Sequence, residues 1–329
     1  MDKIVCYRPF NEIEVHVDGR VYTCCPDYLK NLYYIGNINE VETFDDIWYS
    51  PKAIQLRKSV MSQLYTHCNL SICDRREFCD NKNPASEYPN YPTLVRFSYD
   101  RQCNLKCTIC RDLKICNNFQ INKKYDKLID KIFIPLLKNA QIMSINSVGE
   151  LTASPHSMKL LRKAVATYPN LKFEILTNGL LFNESFCKKM GILNRMERVV
   201  VSMHAIEEKT YESIMIGSNF NKVKKNLQWL ASMKNSGLIN EICLIFVAFS
   251  TNYKEIPAFV EFAMKNGFYP SVWEYRRHNT LMDQNADLHE IWNPKHPEYT
   301  EFISVIEKVR EKYGDYCRMP QHFLNLAQC

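Results

Sequence analysis

The stretch DRQCNLKCTICRD, residues 100–112, sets Cys103, Cys107 and Cys110 on one short segment, with gaps of three and two residues between them. Thiolates so arranged are ligands for zinc or for iron–sulfur clusters. Three is one short of what a closed zinc site or a fully ligated cluster takes. Either a fourth ligand arrives from elsewhere, Cys116 among the candidates, or one metal position is left open for chemistry. Cys6, Cys24, Cys25, Cys68, Cys73 and Cys79 form another group near the N-terminus, and Cys187, Cys243, Cys317 and Cys329 stand alone. Four thiolates drawn from the N-terminal group would close a second metal site.

Bulk properties narrow the setting. The chain has 329 residues, 46% of them hydrophobic, enough for two domains or one large one. No apolar run approaches a membrane span, and the start, MDKIVCYRPFNEIEV, has no long apolar segment of a secretory signal. A cytoplasmic protein with no membrane association is expected. Cysteines there stay reduced, so 14 of them point to metal or redox chemistry before disulfides. The net charge of +6 is spread over scattered lysines that read as solvated helix faces, so no nucleic-acid partner is expected.

Periodicity shows which elements must position the cysteines. In NEIEVHVDGRVYTCC, residues 11–25, Ile13, Val15 and Val17 alternate, Asp18-Gly19 offers a type I′ turn, and Val21 and Thr23 alternate again. That hairpin returns Cys24 towards the segment of Cys6. Thr43 and Ser50 read as helix N-caps, the second followed by Pro51 and a helix to about Met61 that leads to Cys68 and Cys73. DNKNPASEYPNYP, residues 80–92, carries three prolines and reads as a linker. From residue 93, strands alternate with helices. TLVRFSYD, QIMSINSV, LKFEILTNG, RVVVSMHA, EICLIFVAFS and SVWEYRR are the strands. Helices follow at 123–139 (kinked by Pro135), 156–167, 184–192, 220–234 and 255–266, with a last one near 298–312. Six such units make an α/β fold with a parallel sheet, open or closed into a partial barrel.

The triplet ends the first of these strands, where α/β sheets hold their active sites. Its pattern resembles the C-x3-C-x-Φ-C signature of the radical S-adenosylmethionine (radical SAM) superfamily, with Ile109 at the Φ position where an aromatic residue is usual. The resemblance implies a partial (β/α)6 barrel and a [4Fe–4S] cluster held by Cys103, Cys107 and Cys110. In that family the open iron chelates the methionine moiety of S-adenosylmethionine, and one electron cleaves the sulfonium to a 5′-deoxyadenosyl radical. SVGEL, residues 147–151, stands where the family has GGE. Gly149 would admit close backbone approach, and Glu150 would accept from the S-adenosylmethionine ammonium. LTNG, residues 176–179, ends the third strand as the family often shows. Ser202 ends the fourth, where a polar side chain meets the ribose or carboxylate. Arg276 and Arg277, after the sixth strand, could bind a substrate carboxylate or form ion pairs.

Cys6, twelve residues, Gly19, four residues and Cys24 resembles the opening of the SPASM/twitch domain, which holds auxiliary [4Fe–4S] clusters in radical SAM enzymes. In the family that module follows the core; here it precedes it. The resemblance implies one auxiliary cluster on Cys6, Cys24, Cys68 and Cys73, with Cys79 or Cys25 able to replace one of them, and zinc on the same four thiolates as the alternative. The expected organisation is a small β-hairpin/helix SPASM/twitch-like module at 1–88, a radical SAM core at 89–279 and a helical extension at 280–329. The expected activity is hydrogen abstraction from a peptide or protein side chain, ending in oxidation, cross-linking or epimerisation. A sugar, aminoglycoside or related small molecule is the alternative substrate, and a non-catalytic iron–sulfur or zinc scaffold the alternative of another class. An electron donor such as flavodoxin or ferredoxin is the expected partner. If the reaction is an epimerisation, Cys243 or a tail cysteine would return the hydrogen atom.

Overall fold

A computed structural model describes residues 4–71, 73, 77–78, 87–110, 119–145, 148–275, 287–320 and 323. Cys79, Cys116, Cys329, Arg276 and Arg277 lie outside the described residues. The strands in chain order are β1 (Ile4–Val5), β2 (Glu12–His16), β3 (Arg20–Tyr22), β4 (Gly36–Asn37), β5 (Glu77–Phe78), β6 (Leu94–Ser98), β7 (Ile142–Ile145), β8 (Lys172–Thr177), β9 (Met196–Ser202), β10 (Ile239–Ala248) and β11 (Tyr269–Glu274). Nine of them form a mixed sheet ordered β11-β10-β9-β8-β7-β6-β2-β3-β4, and β1 pairs with β5. From β6 onward each strand is followed by helix before the next, the succession expected of a partial (β/α)6 barrel. The chain divides into two compact units, residues 1–101, 119–149 and 154–173 in one, and 102–118, 150–153 and 174–329 in the other. No helix among the described residues is long and apolar enough to cross a membrane.

In the first unit the N-terminal hairpin extends the α/β sheet, which the sequence pattern did not disclose. β2 runs parallel to β6, setting Ile13 beside Val95 and Val15 beside Phe97, and β6 runs parallel to β7, setting Val95 beside Met143 and Phe97 beside Ile145. These six side chains are buried and form one apolar face. Glu14, Arg96 and Ser144 line up on the opposite face, with Arg96 Nη1 donating to Ser144 Oγ at 3.3 Å. The hairpin turn differs from expectation. Of Val17, Asp18 and Gly19 only Gly19 has a positive φ, 82°, whereas a type I′ turn needs two such residues. The loop instead has three residues, closed by the Gly19 N–H on the His16 carbonyl at 2.9 Å, with the left-handed glycine supplying the bulge.

Ser50 caps the helix Pro51–Met61 as expected, accepting from the Ala53 N–H. Thr43 is no cap: its N–H and hydroxyl both donate to the Asp46 carboxylate, at 2.8 and 3.0 Å. Arg57, on that helix, is fully buried and ties the module together by donating to the carbonyls of Pro9, Trp48 and Glu87. The expected helix 123–139 is broken. Phe119–Asp126 is α-helical, Ile129–Phe133 is a π-turn, and Ile134–Leu136 resumes with Pro135 in its first turn. Proline has no N–H to continue the i→i−4 ladder, so the helix must be re-registered around it.

In the second unit β9, β10 and β11 are parallel. Their register places Val200, Cys243 and Tyr269 in one row and Ser202, Ile245 and Ser271 in the next. Val199, Val201, Ile242, Leu244, Phe246 and Ala248 take the other face and are fully buried. Phe246 meets Phe259 of the helix Ile256–Lys265 at 5.0 Å between ring centroids, so that face is the helix-covered one. Gly191 and Gly267 stop their helices with φ of 72° and 71°.

Candidate metal centre

The loop after β6 carries the triplet. Cys103, Cys107, Ile109 and Cys110 are all half-buried. The Cys110 N–H donates to the Cys107 carbonyl at 3.1 Å, closing a tight turn between two of the thiols. Lys106 and Thr108 donate their N–H groups to the carbonyls of Ile216 and Ile214, both at 2.9 Å, and Leu105 is buried. The loop is thereby pinned along the segment that follows the helix Glu208–Ile214. Burial pushes the Cys103 thiol up to about 11, and neighbouring Glu150 and Cys110 push it the same way. Burial also raises Cys107, helped by Cys110 and Cys103. Mutual repulsion of this kind is what a shared cation relieves, and binding one would release the protons.

Two N–H groups are aimed at Cys103 Sγ: the Leu105 backbone at 3.4 Å and Asn178 Nδ2 at 3.9 Å. Asn178 also donates to Asn104 Oδ1 at 2.9 Å, while its own Oδ1 accepts from the Leu180 N–H at 3.0 Å. It sits in the turn Thr177-Asn178-Gly179, where Gly179 has φ 76° and Asn226 Nδ2 donates to the Gly179 carbonyl at 2.8 Å. Glu150 is 0% exposed. Its Oε1 accepts from the N–H and hydroxyl of Thr152, at 3.1 and 2.7 Å, and its Oε2 from the Asn178 N–H at 2.7 Å, while the Thr177 hydroxyl reaches both oxygens. Burial raises its pKa, and these hydrogen bonds pull it back. The Glu150 N–H in turn donates to the Gln102 carbonyl at 2.8 Å, one residue before Cys103.

The other expected residues fall as follows. Gly149, next in the chain to Glu150, is half-buried. Ser202 ends β9, half-buried, on the face opposite the helices. Cys243 shares that face one row nearer the strands' N-terminal ends, 2% exposed, with Arg198 and Glu241 as its charged neighbours. Burial lifts its thiol to about 11. Cys187 and Cys317 are buried. The triplet, Glu150 and the Asn178 turn are therefore brought together, and Cys243 belongs to a different neighbourhood.

In the first unit Cys6, Cys24 and the Cys68–Cys73 segment converge. Burial raises the thiols of Cys6, Cys24 and Cys68; proximity to Cys73 adds to the rise at Cys6, Cys6 and Cys73 add to it at Cys68, and Cys6 adds to it at Cys24. The β1–β5 pair brings the segments flanking Cys6 and Cys73 alongside. Leu29 bridges to Cys68, and the Lys30 N–H reaches the His67 carbonyl at 2.9 Å. Cys25 packs with Tyr22, Cys24 and Leu29. Also in this unit, a network with no sign in the residue pattern fastens the end of β6. Tyr99 bonds His156 Nε2 and Asp126 bonds its Nδ1, both at 2.6 Å, and buried Asp100 accepts from Ser154 and Ser157.

Among the described residues no three His, Cys, Asp or Glu side chains close on the position of a single metal ion. A four-iron cube spreads its thiolates over separate corners, and here the fit lies in the donor sets. Three thiols on one loop, one of them already met by two N–H donors, suit a cluster with an open corner. Four thiols from three segments suit a closed one.

Fold and site define an α/β protein whose cysteines gather in two places, the triplet loop and the N-terminal group. Residues 6–74 match the SPASM family model, an iron–sulfur cluster-binding domain, a span that brackets Cys6, Cys24, Cys68 and Cys73. A probable GTP 3′,8-cyclase of Saccharolobus islandicus is 25% identical over 228 residues, 67% of this chain and 68% of that protein. The solved structure of Streptococcus suis SuiB bound to S-adenosylmethionine overlaps with a TM-score of 0.45 at 17% identity, over 70% of this chain and 50% of SuiB. SuiB bound to its precursor peptide SuiA overlaps with a TM-score of 0.48 at 15% identity, over 82% of this chain and 62% of SuiB. The chain thus spans half to three-fifths of SuiB's length. The N-terminal part of the chain is thus similar to a SPASM module, and two-thirds of the chain is similar to the cyclase relatives.

Proposed function

We propose that the enzyme removes a hydrogen atom from a peptide or protein side chain, using a site cluster on Cys103, Cys107 and Cys110 and one auxiliary [4Fe–4S] cluster on Cys6, Cys24, Cys68 and Cys73. The observation that carries this reading is the open triplet, three thiols on a loop pinned at Lys106 and Thr108 with N–H groups already directed at Cys103. When bound there, S-adenosylmethionine supplies the abstracting adenosyl radical after one-electron reduction. The chain's own part is to orient and exclude. The Glu150 strut fixes the strand ends around the triplet, and Gly149 leaves room for the methionine backbone. Ser202 offers a hydroxyl for the ribose or carboxylate, and Ile109 shields the cluster edge. The auxiliary site would hold substrate or pass electrons, and a cytoplasmic flavodoxin or ferredoxin would supply them. The SPASM match favours a peptide substrate, since that module recurs in peptide-modifying enzymes.

A small-molecule substrate has separate support in the cyclase relatives, which match over two-thirds of the chain. One experiment tests both. The reconstituted enzyme is incubated anaerobically with S-adenosylmethionine, reductant and either deuterated peptides or deuterated GTP. Deuterium in 5′-deoxyadenosine from a peptide is the expected result. Transfer from GTP alone would replace the peptide reading, and protein that holds zinc without sulfide would end both.

A further inference from the structure

The Thr177-Asn178-Gly179 turn touches none of the reacting atoms of the proposed step, yet it is held on several sides. Gly179 adopts φ 76°, where a side chain would press on Val201 and Val223. The turn is bonded to Glu150 through the Thr177 hydroxyl and the Asn178 N–H, and to Asn226 through the carbonyls of Gly179 and Leu180. This scaffold leaves Asn178, 8% exposed, one orientation. The Leu180 N–H occupies its Oδ1, so the amide nitrogen must face Asn104 and Cys103. An amide nitrogen has two hydrogens, and both are used: one on Asn104 Oδ1, one on Cys103 Sγ.

We infer that Asn178 is a positioning residue that tunes the site cluster by donating a side-chain N–H to the sulfur of Cys103. The inference rests on the reading of the triplet as the site-cluster ligands. Hydrogen bonds to ligand sulfurs are a main determinant of cluster potential. A donor withdraws electron density from the thiolate and favours the reduced, more negative cluster. Cys103 receives a second donor from the Leu105 backbone, so Asn178 supplies the part of this stabilisation that a side-chain substitution can remove. The remaining contacts explain why the amide is held in place: a donor that wandered would leave the potential unfixed.

The test is a redox titration of the full-length reconstituted protein, followed by the EPR signal that changes when S-adenosylmethionine is added. Asn178→Asp keeps the shape and removes the donor; Asn178→Leu removes donor and charge alike. Both should shift the one-electron equilibrium about tenfold towards the oxidised cluster, about 59 mV. Asp should shift it further, because it adds a negative charge. Iron content should equal that of the native protein. Native potentials in both variants with iron intact would overturn the inference, and so would loss of the site cluster in both with the auxiliary cluster retained, which would make Asn178 an assembly residue. Failure of the underlying reading looks different: the native protein itself would show no S-adenosylmethionine-responsive signal.

Discussion

Glu150 is the residue whose surroundings say most about how this site is built. Its carboxylate is fully buried and shared among donors from Thr152, Thr177 and Asn178. Glu150→Ala would leave several of those donors buried without acceptors, and should lower stability by about 3 kcal/mol in urea titration. Binding of S-adenosylmethionine should weaken as well, because the Asn178 turn and the Gln102 carbonyl next to the triplet lose their common anchor. Weaker binding at unchanged stability would point instead to a carboxylate that serves the ligand alone. The triplet was legible in the sequence because its three sulfurs share one loop, so spacing alone describes it. The contact of Asn178 with Cys103 joins residues 75 positions apart, and no local pattern encodes that. Cys243 shows the complementary limit: alternation correctly grouped it with Ile245 and Val247, but which face the helices cover depends on packing such as Phe246 on Phe259.

At the scale of elements, periodicity found every strand of the α/β region, because each is a run of apolar residues between turn signals. It found the hairpin too, yet missed its parallel pairing with β6, since pairing partners are set by long-range register. The hairpin turn offers a direct test of how the proposed auxiliary site is assembled. Gly19 has φ 82°, and a Cβ there would collide with the side chains of Asn37 and Asn39. Those two amides hold the Asp18 carbonyl, each at 3.2 Å. Gly19→Ala should cost about 2 kcal/mol from the left-handed backbone and the displaced hydrogen bonds. Because β3 delivers Cys24, the variant should take up less iron at the auxiliary site while the S-adenosylmethionine-responsive EPR signal persists. Full auxiliary iron with a lowered urea midpoint would separate the turn's stability from cluster assembly, and a native midpoint would show that the turn bears no strain.

At the scale of the whole molecule, resistance to acid should depend on one histidine. His204, just beyond β9, is 6% exposed, and burial lowers its pKa to about 4. Its Nδ1 accepts the Val247 N–H at 3.2 Å, so the folded state holds the neutral ring with the proton on Nε2. In the unfolded chain the same ring titrates near 6.5. Between those values the unfolded state binds more protons, so stability is greatest above 6.5 and falls as the pH drops through the window towards 4. The whole window amounts to about 3 kcal/mol, and the part between pH 7.5 and 5.5 to about 1.3 kcal/mol. Iron content measured in each sample checks that metal loading is equal at the two pH values. His204→Gln has no titrating ring, so its loss of stability between those two pH values should be smaller than the native protein's by about that amount. Parallel pH dependence in the two proteins would show that His204 is not the group responsible. A variant that is less stable at both pH values but flatter between them would separate the lost Val247 hydrogen bond, which is independent of pH, from the titration itself.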